Sequence, residues 1–282
     1  MKIIHTIPEM REVLAPYKRA GKFIGLVPTM GALHEGHMSL VSASAKENDV
    51  TVVSVFLNPI QFGKNEDLDS YPRRLEKDAE LVEAHGGTFV FAPSVSEMYP
   101  DGDPLTLVRD ESLEHLYCGA YRPGHFRGVL TVVSKLFHIS GADRAYFGKK
   151  DYQQAFLICR MVKDLNFPVD IRLMPIVRED SGLARSSRNE YMDAGEKSAA
   201  VAISRALLFA KESYSSGERS VGALRSKIQE RIAHAGGVVQ YVEIASQKTL
   251  LANSTGTVDE PSVILVAAFF GTTRLIDNIE LD

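Results

Sequence analysis

The chain is poor in several features that would define a class by themselves. It has only two cysteines, Cys118 and Cys159, in 282 residues. That count gives no disulfide framework and fits a reducing compartment. Its longest purely apolar run, 263–270, has strand length and falls far short of a membrane span. The first residues, Met1-Lys2-Ile3-Ile4-His5-Thr6-Ile7-Pro8, have no apolar core of the kind a secretory signal needs. Charge of one sign is also lacking: 32 basic against 36 acidic residues leave a formal net charge of −4. That balance gives no support for bulk binding of nucleic acid or of a membrane surface. There is no internal repeat and no low-complexity tract. A cytoplasmic enzyme with a sizeable buried core is the expectation, and the length suggests two domains.

Strand and helix patterns alternate through the first two-thirds. Apolar runs at 23–27, 50–56, 88–92, 144–147 and 169–174 read as strands. Helical patterns lie between them: one carries Leu75, Ala79 and Val82 and stops at Gly86-Gly87. Another carries Val129, Val132, Val133, Leu136 and Phe137, and a third runs 152–165 and stops before Pro168. Strands that are apolar throughout fit a parallel sheet covered on both faces. The prediction is a doubly wound, Rossmann-like α/β domain over 1–176. Beyond it the order changes to helices at 195–214 and 221–235, then strands at 238–245, 262–270 and 273–279. The last two are separated only by Gly271-Thr272, a plausible hairpin. This predicts a smaller α+β domain over 177–282.

Three clusters could carry chemistry. The first, residues 28–37 (PTMGALHEGH), follows a strand and opens a helix, with His34 and His37 expected on one face of its first turn. Unpaired N–H groups and the helix dipole favour an anion there. Two imidazole donors would suit phosphate oxygens while a P–O bond breaks. A metal reading of the pair lacks a third ligand close in sequence, and zinc needs about three or four. Idle surface histidines are the plain alternative, which the strand–glycine–helix context disfavours. The second cluster is Gly148-Lys149-Lys150-Asp151, again after a strand. Gly148 allows close backbone approach and Lys150 can neutralise phosphate. Asp151 suits a helix cap, a ribose contact or a metal contact. A capped helix with a basic surface pair would look the same. The third, Arg185-Ser186-Ser187-Arg188-Asn189, sits where composition changes. Its hydroxyls and guanidinium groups could grip a polyphosphate and close over a nucleotide, or form a polar inter-domain loop. Two further loops offer amides and cations: Asn58-Pro59-Ile60-Gln61-Phe62-Gly63, and Arg122 to Gly128 with His125 within it.

Taken together, these strings resemble the pantoate–β-alanine ligase (pantothenate synthetase) family. The resemblance is carried by PTMGALHEGH at 28–37, NPIQFG at 58–63 with YPR at 71–73, and CGAYRPGHFRGV at 118–129. DRAYFGKKDYQQ at 143–154, SSRN at 186–189 and FGTTRLIDN at 270–278 complete it. The family is similar in turn to nucleotidyltransferases and class I aminoacyl-tRNA synthetases, whose HIGH signature corresponds to His34-Glu35-Gly36-His37. The resemblance implies two steps. The carboxylate of pantoate attacks the α-phosphorus of ATP to give pantoyl adenylate and pyrophosphate. The amine of β-alanine then displaces AMP.

It also implies site residues. His34, His37 and Lys150 would be catalytic, with His37 the favoured general acid. The nucleotide would lie against Met30, Gly31, Ala32, Leu33, Glu35, Gly36, Gly148, Lys149, Asp151 and Val177, and against Arg185, Ser186, Ser187 and Arg188. Gln61 and Gln154 would hold pantoate, with Asn58, Tyr71, Arg122 and His125 around the acid and amine pockets. Magnesium would accompany ATP with few dedicated protein ligands and no metal site of the protein's own. A homodimer is implied as well. Three places depart from the family pattern: Lys149 where an acid or its amide is common, Arg185 where an apolar residue is usual, and Glu243-Ile244-Ala245-Ser246-Gln247, which lacks an acidic residue often found after the equivalent strand. Arg185 would either pair with phosphate or point to solvent. A nucleotidylyltransferase is the alternative that explains the histidine turn, but it leaves Gln61 and Gln154 without a role. A silent nucleotide-binding module would have lost a histidine or Lys150, and both are present.

Overall fold

Valine and other β-branched residues dominate 50–55, and five of these six positions are buried, which suits a central strand packed on both faces. Around it the computed structural model, which describes residues 1–63 and 66–282, builds two compact units. One comprises Met1–Lys149 and Gln154–Pro175, the other Lys150–Gln153 and Ile176–Asp282. No helix among the described residues is long and apolar enough to cross a membrane.

In the first unit, the elements in chain order are β1 (Lys2–Ile4), α1 (Ile7–Arg19), β2 (Ile24–Thr29), α2 (Glu35–Glu47), β3 (Val50–Val55), α3 (Leu75–Ala84) and β4 (Phe89–Phe91). They continue with α4 (Val95–Met98), α5 (Cys118–Tyr121), α6 (His125–Ser140), β5 (Arg144–Gly148), α7 (Tyr152–Asp164, which opens in the second unit) and β6 (Asp170–Met174). The strands form one parallel sheet in the order β1-β4-β3-β2-β5-β6. Counted from β2, this is the doubly wound order 3-2-1-4-5, with β1 added at the edge. β1 and α1, from the first twenty residues, were not among the elements the sequence patterns indicated. The three residues of β1 are too few for a periodic signal.

Such sheets bind ligands beyond the carboxyl ends of the strands, where the winding reverses. Here that point lies between β2 and β5. Their ladder ends early, pairing only Gly25 with Arg144 and Leu26 with Ala145, so the strands part beyond Leu26. Ile24 O accepts from Asp143 N–H on the β5 side and Thr29 O from Phe56 N–H on the β3 side. Strand alternation therefore turns the Pro28 nitrogen toward β5, where the ladder has ended. A proline, which cannot donate, costs no sheet bond there.

The second unit holds α8 (Ala194–Ala200), α9 (Ala202–Ser215) and α10 (Val221–His234), followed by β7 (Val238–Ser246), β8 (Ser262–Phe270) and β9 (Thr273–Leu281). The strands form an antiparallel sheet β7-β8-β9. Phe270 pairs with Thr273 across the two-residue turn at Gly271-Thr272, as the sequence suggests. Leu207, Leu224, Ile228 and Ile232 pack with Ile264 and Val266 in its core. The single helix expected over 195–214 is two helices. Asp193 and Glu196 cap α8 reciprocally, and the α-helical pattern breaks at Val201, whose carbonyl accepts from both the Ser204 hydroxyl and Arg205 N–H.

Candidate functional site

The chain leaves β2 through a strained turn held by one buried carboxylate. Gly31 takes φ +91° and Ala32 φ +50°, and only glycine adopts the first readily. A Cβ on Gly31 would also press on Val55 Cγ1 and Asp78 Oδ2, at 3.1 and 3.2 Å. Asp78, from the first turn of α3, is 2 % exposed. Its two oxygens accept from Ala32 N–H (3.0 Å) and Leu33 N–H (2.9 Å). Burial pushes the Asp78 carboxyl above its ordinary range, and the two backbone donors, with Arg74 and Lys77, pull it back in part.

This turn delivers His34 to the end of α2. His34 is the residue that caps the helix, with extended backbone at φ −143° and ψ 177°. That corrects the expectation that both imidazoles ride on the first helical turn. His34 Nδ1 accepts from Gly36 N–H at 3.1 Å, and His37 Nδ1 accepts from His34 N–H at 3.3 Å. The ring centroids lie 4.1 Å apart. Two side chains thus satisfy backbone donors that a helix start leaves open. A neutral imidazole that accepts through Nδ1 carries its proton on Nε2. Both rings are set as Nε2–H donors at the positive end of a helix. A metal held through Nε2 would need the opposite tautomer, with Nδ1–H donating to its surroundings.

The loop after β3 supplies Asn58, 1 % exposed, and Gln61, 6 % exposed. Asn58 Nδ2 donates to Gln61 Oε1 (3.0 Å) and to Gly128 O (3.1 Å), and Asn58 Oδ1 accepts from the Tyr99 hydroxyl (2.8 Å). Gln61 Nε2 donates to Met30 Sδ at 2.9 Å, joining this loop to the one after β2. Gly128 is required by space: a Cβ there would lie 2.6 Å from Gln61 Cα. Arg122 makes a bidentate pair with Glu66 and meets His125 Nε2 at 2.9 Å, while His125 Nδ1 donates to Gln61 O at 2.9 Å. Arg122 and His125 therefore brace the Gln61 backbone. Tyr71 is buried edge-on to Phe62. Gln154, on the first turn of α7, is half-buried.

β5 ends at Gly148, and Lys149–Asp151 form a 3₁₀ turn. Within the second unit, Lys150 Nζ stands 3.9 Å from Asp151 Oδ1, and Lys150 O accepts from Asn278 Nδ2 at 3.0 Å. The neighbouring Asp277 holds Arg178 through two bonds, at 2.6 and 3.0 Å. Arg178 begins a hairpin that bridges to Ala184, and Val177 O accepts from Arg185 N–H. Ser186 then caps the 3₁₀ turn Ser187–Tyr191 by accepting from Arg188 N–H. Asn189 donates to Glu179 and to Ala184 O. Arg185 Nη1 lies 3.9 Å from Glu179 Oε1, so this unusual arginine has a carboxylate neighbour of its own. Asp78, Glu66, Tyr99 and Asp277 did not stand out as site residues in the sequence. Each acts through a backbone or side-chain partner distant along the chain, which no local pattern reveals.

The doubly wound sheet and the histidine-capped helix at its switch point define an α/β protein of the nucleotide-binding type. The family model for pantoate-beta-alanine ligase matches residues 2–280. A pantothenate synthetase from Acetivibrio thermocellus is 49 % identical over 280 residues, 99 % of each chain. One from Sulfurihydrogenibium is 49 % identical over 282 residues, covering 99 % of this chain and all of that one. The crystal structure of pantothenate synthetase from Thermus thermophilus superimposes with a TM-score of 0.93 at 42 % identity, covering 100 % of this chain and 99 % of that one. A pantoate-beta-alanine ligase from Francisella tularensis, solved with beta-gamma ATP and beta-alanine, gives 0.83 at 33 % identity over 99 % and 97 %. The chain belongs to the pantoate-beta-alanine ligase family.

Replacing Asp78 by Asn tests the turn. The amide keeps one acceptor and sets an NH₂ against the other backbone N–H. Urea unfolding at neutral pH is expected to show a loss of about 1–3 kcal/mol, with faster hydrogen exchange at Ala32 or Leu33. Because the folded carboxyl sits above its ordinary 3.8, the native state binds the extra proton. The wild-type advantage over the variant is therefore fully present below pH 3.8 and shrinks as pH rises through the folded value. An advantage that grows with pH over that window would contradict the assignment.

Proposed function

We propose that this chain joins pantoate to β-alanine with ATP, through a pantoyl adenylate, releasing pyrophosphate and then AMP. Membership of the family supports pantothenate formation, and the relative solved with beta-gamma ATP and beta-alanine supports ATP and β-alanine as substrates. The observation that carries the reading further is the cap of α2, where His34 and His37 both use Nδ1 as acceptor.

In the first step a pantoate carboxylate oxygen forms a bond to the α-phosphorus, and the bond to the bridging oxygen of pyrophosphate breaks. Negative charge grows on phosphoryl oxygens, and fixed donors there lower the barrier without reorganising. The Nε2–H groups of His34 and His37 are assigned that role as hydrogen-bond donors, with His37 on the leaving oxygen. A ring that accepts at Nδ1 stabilises that oxygen by a hydrogen bond rather than by giving up its one proton. Lys150, Ser186, Ser187 and Arg188 are assigned to the remaining phosphate oxygens as a point charge and as hydrogen-bond donors. Gln61 and Gln154 hold the acid. In the second step the β-alanine nitrogen attacks the acyl carbon, the acyl–oxygen bond to AMP breaks, and the nitrogen loses a proton. The adenylate hydrolyses readily, so a site closed to water is part of the same proposal.

Magnesium would be held mainly by the triphosphate. Such an ion keeps substrate oxygens and water in its shell; among the described residues no group of three or more His, Cys, Asp or Glu side chains could hold a metal ion. The homodimer and the cytoplasmic location implied by the family likeness belong to this proposal too.

Radiolabelled pyrophosphate is expected to exchange into ATP when pantoate is present and β-alanine is absent. No exchange by folded protein would overturn the adenylate step. His37→Ala is expected to lower that exchange on the order of 10²–10³-fold, and near-normal exchange would remove the histidine from the chemistry.

A further inference from the structure

An amide side chain can present either its C=O or its NH₂, and whichever it presents decides what a pocket binds. At Gln61 that choice is made by groups behind it. Gly128 O can only accept, so Asn58 must turn Nδ2 toward it. The second proton of Nδ2 goes to Gln61 Oε1. With that oxygen turned onto Asn58, Gln61 points its NH₂ the other way, where it now rests on the sulfur of Met30. A thioether is a weak acceptor, so an incoming oxygen atom displaces it at little cost.

The remaining atom of the chain is Asn58 Oδ1, and its partner is the Tyr99 hydroxyl at 2.8 Å. Tyr99 follows α4 and is 5 % exposed, with its ring against Phe56. We propose that Tyr99 is a positioning residue which, through Asn58, locks Gln61 as a hydrogen-bond donor and so makes the acid pocket select an acceptor oxygen of pantoate. The inference rests on the ligase reading above. Burial, and then the Asp103 carboxylate, holds the Tyr99 hydroxyl far above its ordinary range, so it stays a neutral O–H donor at any working pH. Without it, Asn58 Oδ1 is buried with no donor, and the amide chain is pinned at one end only.

The test measures pantoate-dependent pyrophosphate exchange for the unaltered chain and for Tyr99→Phe, which keeps the ring and removes one oxygen. The expected result is a rise in KM for pantoate on the order of tenfold, with KM for ATP unchanged. An unchanged pantoate KM, or equal losses for both substrates, would overturn the inference. Asn58→Asp provides a second arm: a carboxylate must accept, so Gln61 would turn its C=O outward. That variant should lose pantoate saturation at concentrations about tenfold above the wild-type KM while binding ATP normally by equilibrium dialysis; normal pantoate saturation would count against the inference. If the unaltered chain itself shows no pantoate-dependent exchange, the ligase reading fails, and this inference with it. If exchange is present and only the variants behave like wild type, this inference alone fails.

Discussion

One buried carboxylate fixes the turn on which the proposed chemistry depends. Asp78 accepts two successive backbone N–H groups, from Ala32 and Leu33, and so holds Ala32 at a positive φ that a residue with a side chain rarely adopts. Everything downstream inherits that geometry. The chain reaches His34 in an extended conformation, His34 caps α2, and His37 caps back onto His34. Because both rings accept through Nδ1, the position of each proton is set by the backbone before any ligand arrives. Preorganised donors of this kind are the usual source of electrostatic catalysis, since they need not be reoriented at the moment of reaction.

The same principle recurs one strand over. The loop after β3 is oriented by a carbonyl, Gly128 O, and a hydroxyl, Tyr99, acting through Asn58 on Gln61. The parting of β2 from β5 beyond Leu26 opens space at the carboxyl ends of the strands. Pro28 fits there because no ladder bond is asked of it. The first unit is thus a stable parallel sheet carrying two loops whose polar groups are each fixed by partners from another element. Arg122 and His125 extend that bracing to the Gln61 backbone.

How much of this was legible in the sequence follows from range. The strands of the parallel sheet have a local signal, and 50–55 and 144–148 lie within a residue of where apolar runs place them. The hairpin at Gly271-Thr272 is local too. The helix split falls on the single residue Val201, which periodicity does not register. Short β1 has too few residues for a pattern. Among the candidate residues, the histidines, Lys150 and the Ser186-Ser187 pair stand out because their residue types are suggestive in themselves. Asp78 was invisible: it reads as one more acid in an amphipathic helix, and only the fold brings it to Ala32, forty-six residues away. Tyr99 and Asn58, forty-one residues apart, were hidden in the same way. Arg185 reads from the sequence as a phosphate contact or a solvent-facing side chain, and the Glu179 carboxylate beside it has no local signal.

The central claim, that a carboxylate oxygen attacks the α-phosphorus at the histidine-capped turn, is tested most directly by isotope transfer. Pantoate labelled with ¹⁸O in its carboxylate is turned over with ATP and β-alanine, and the products are analysed by mass spectrometry. The account predicts one labelled oxygen in the phosphate of AMP, because the oxygen that bonds to phosphorus in the first step leaves with AMP in the second. Label in released pyrophosphate or inorganic phosphate, with none in AMP, would contradict it.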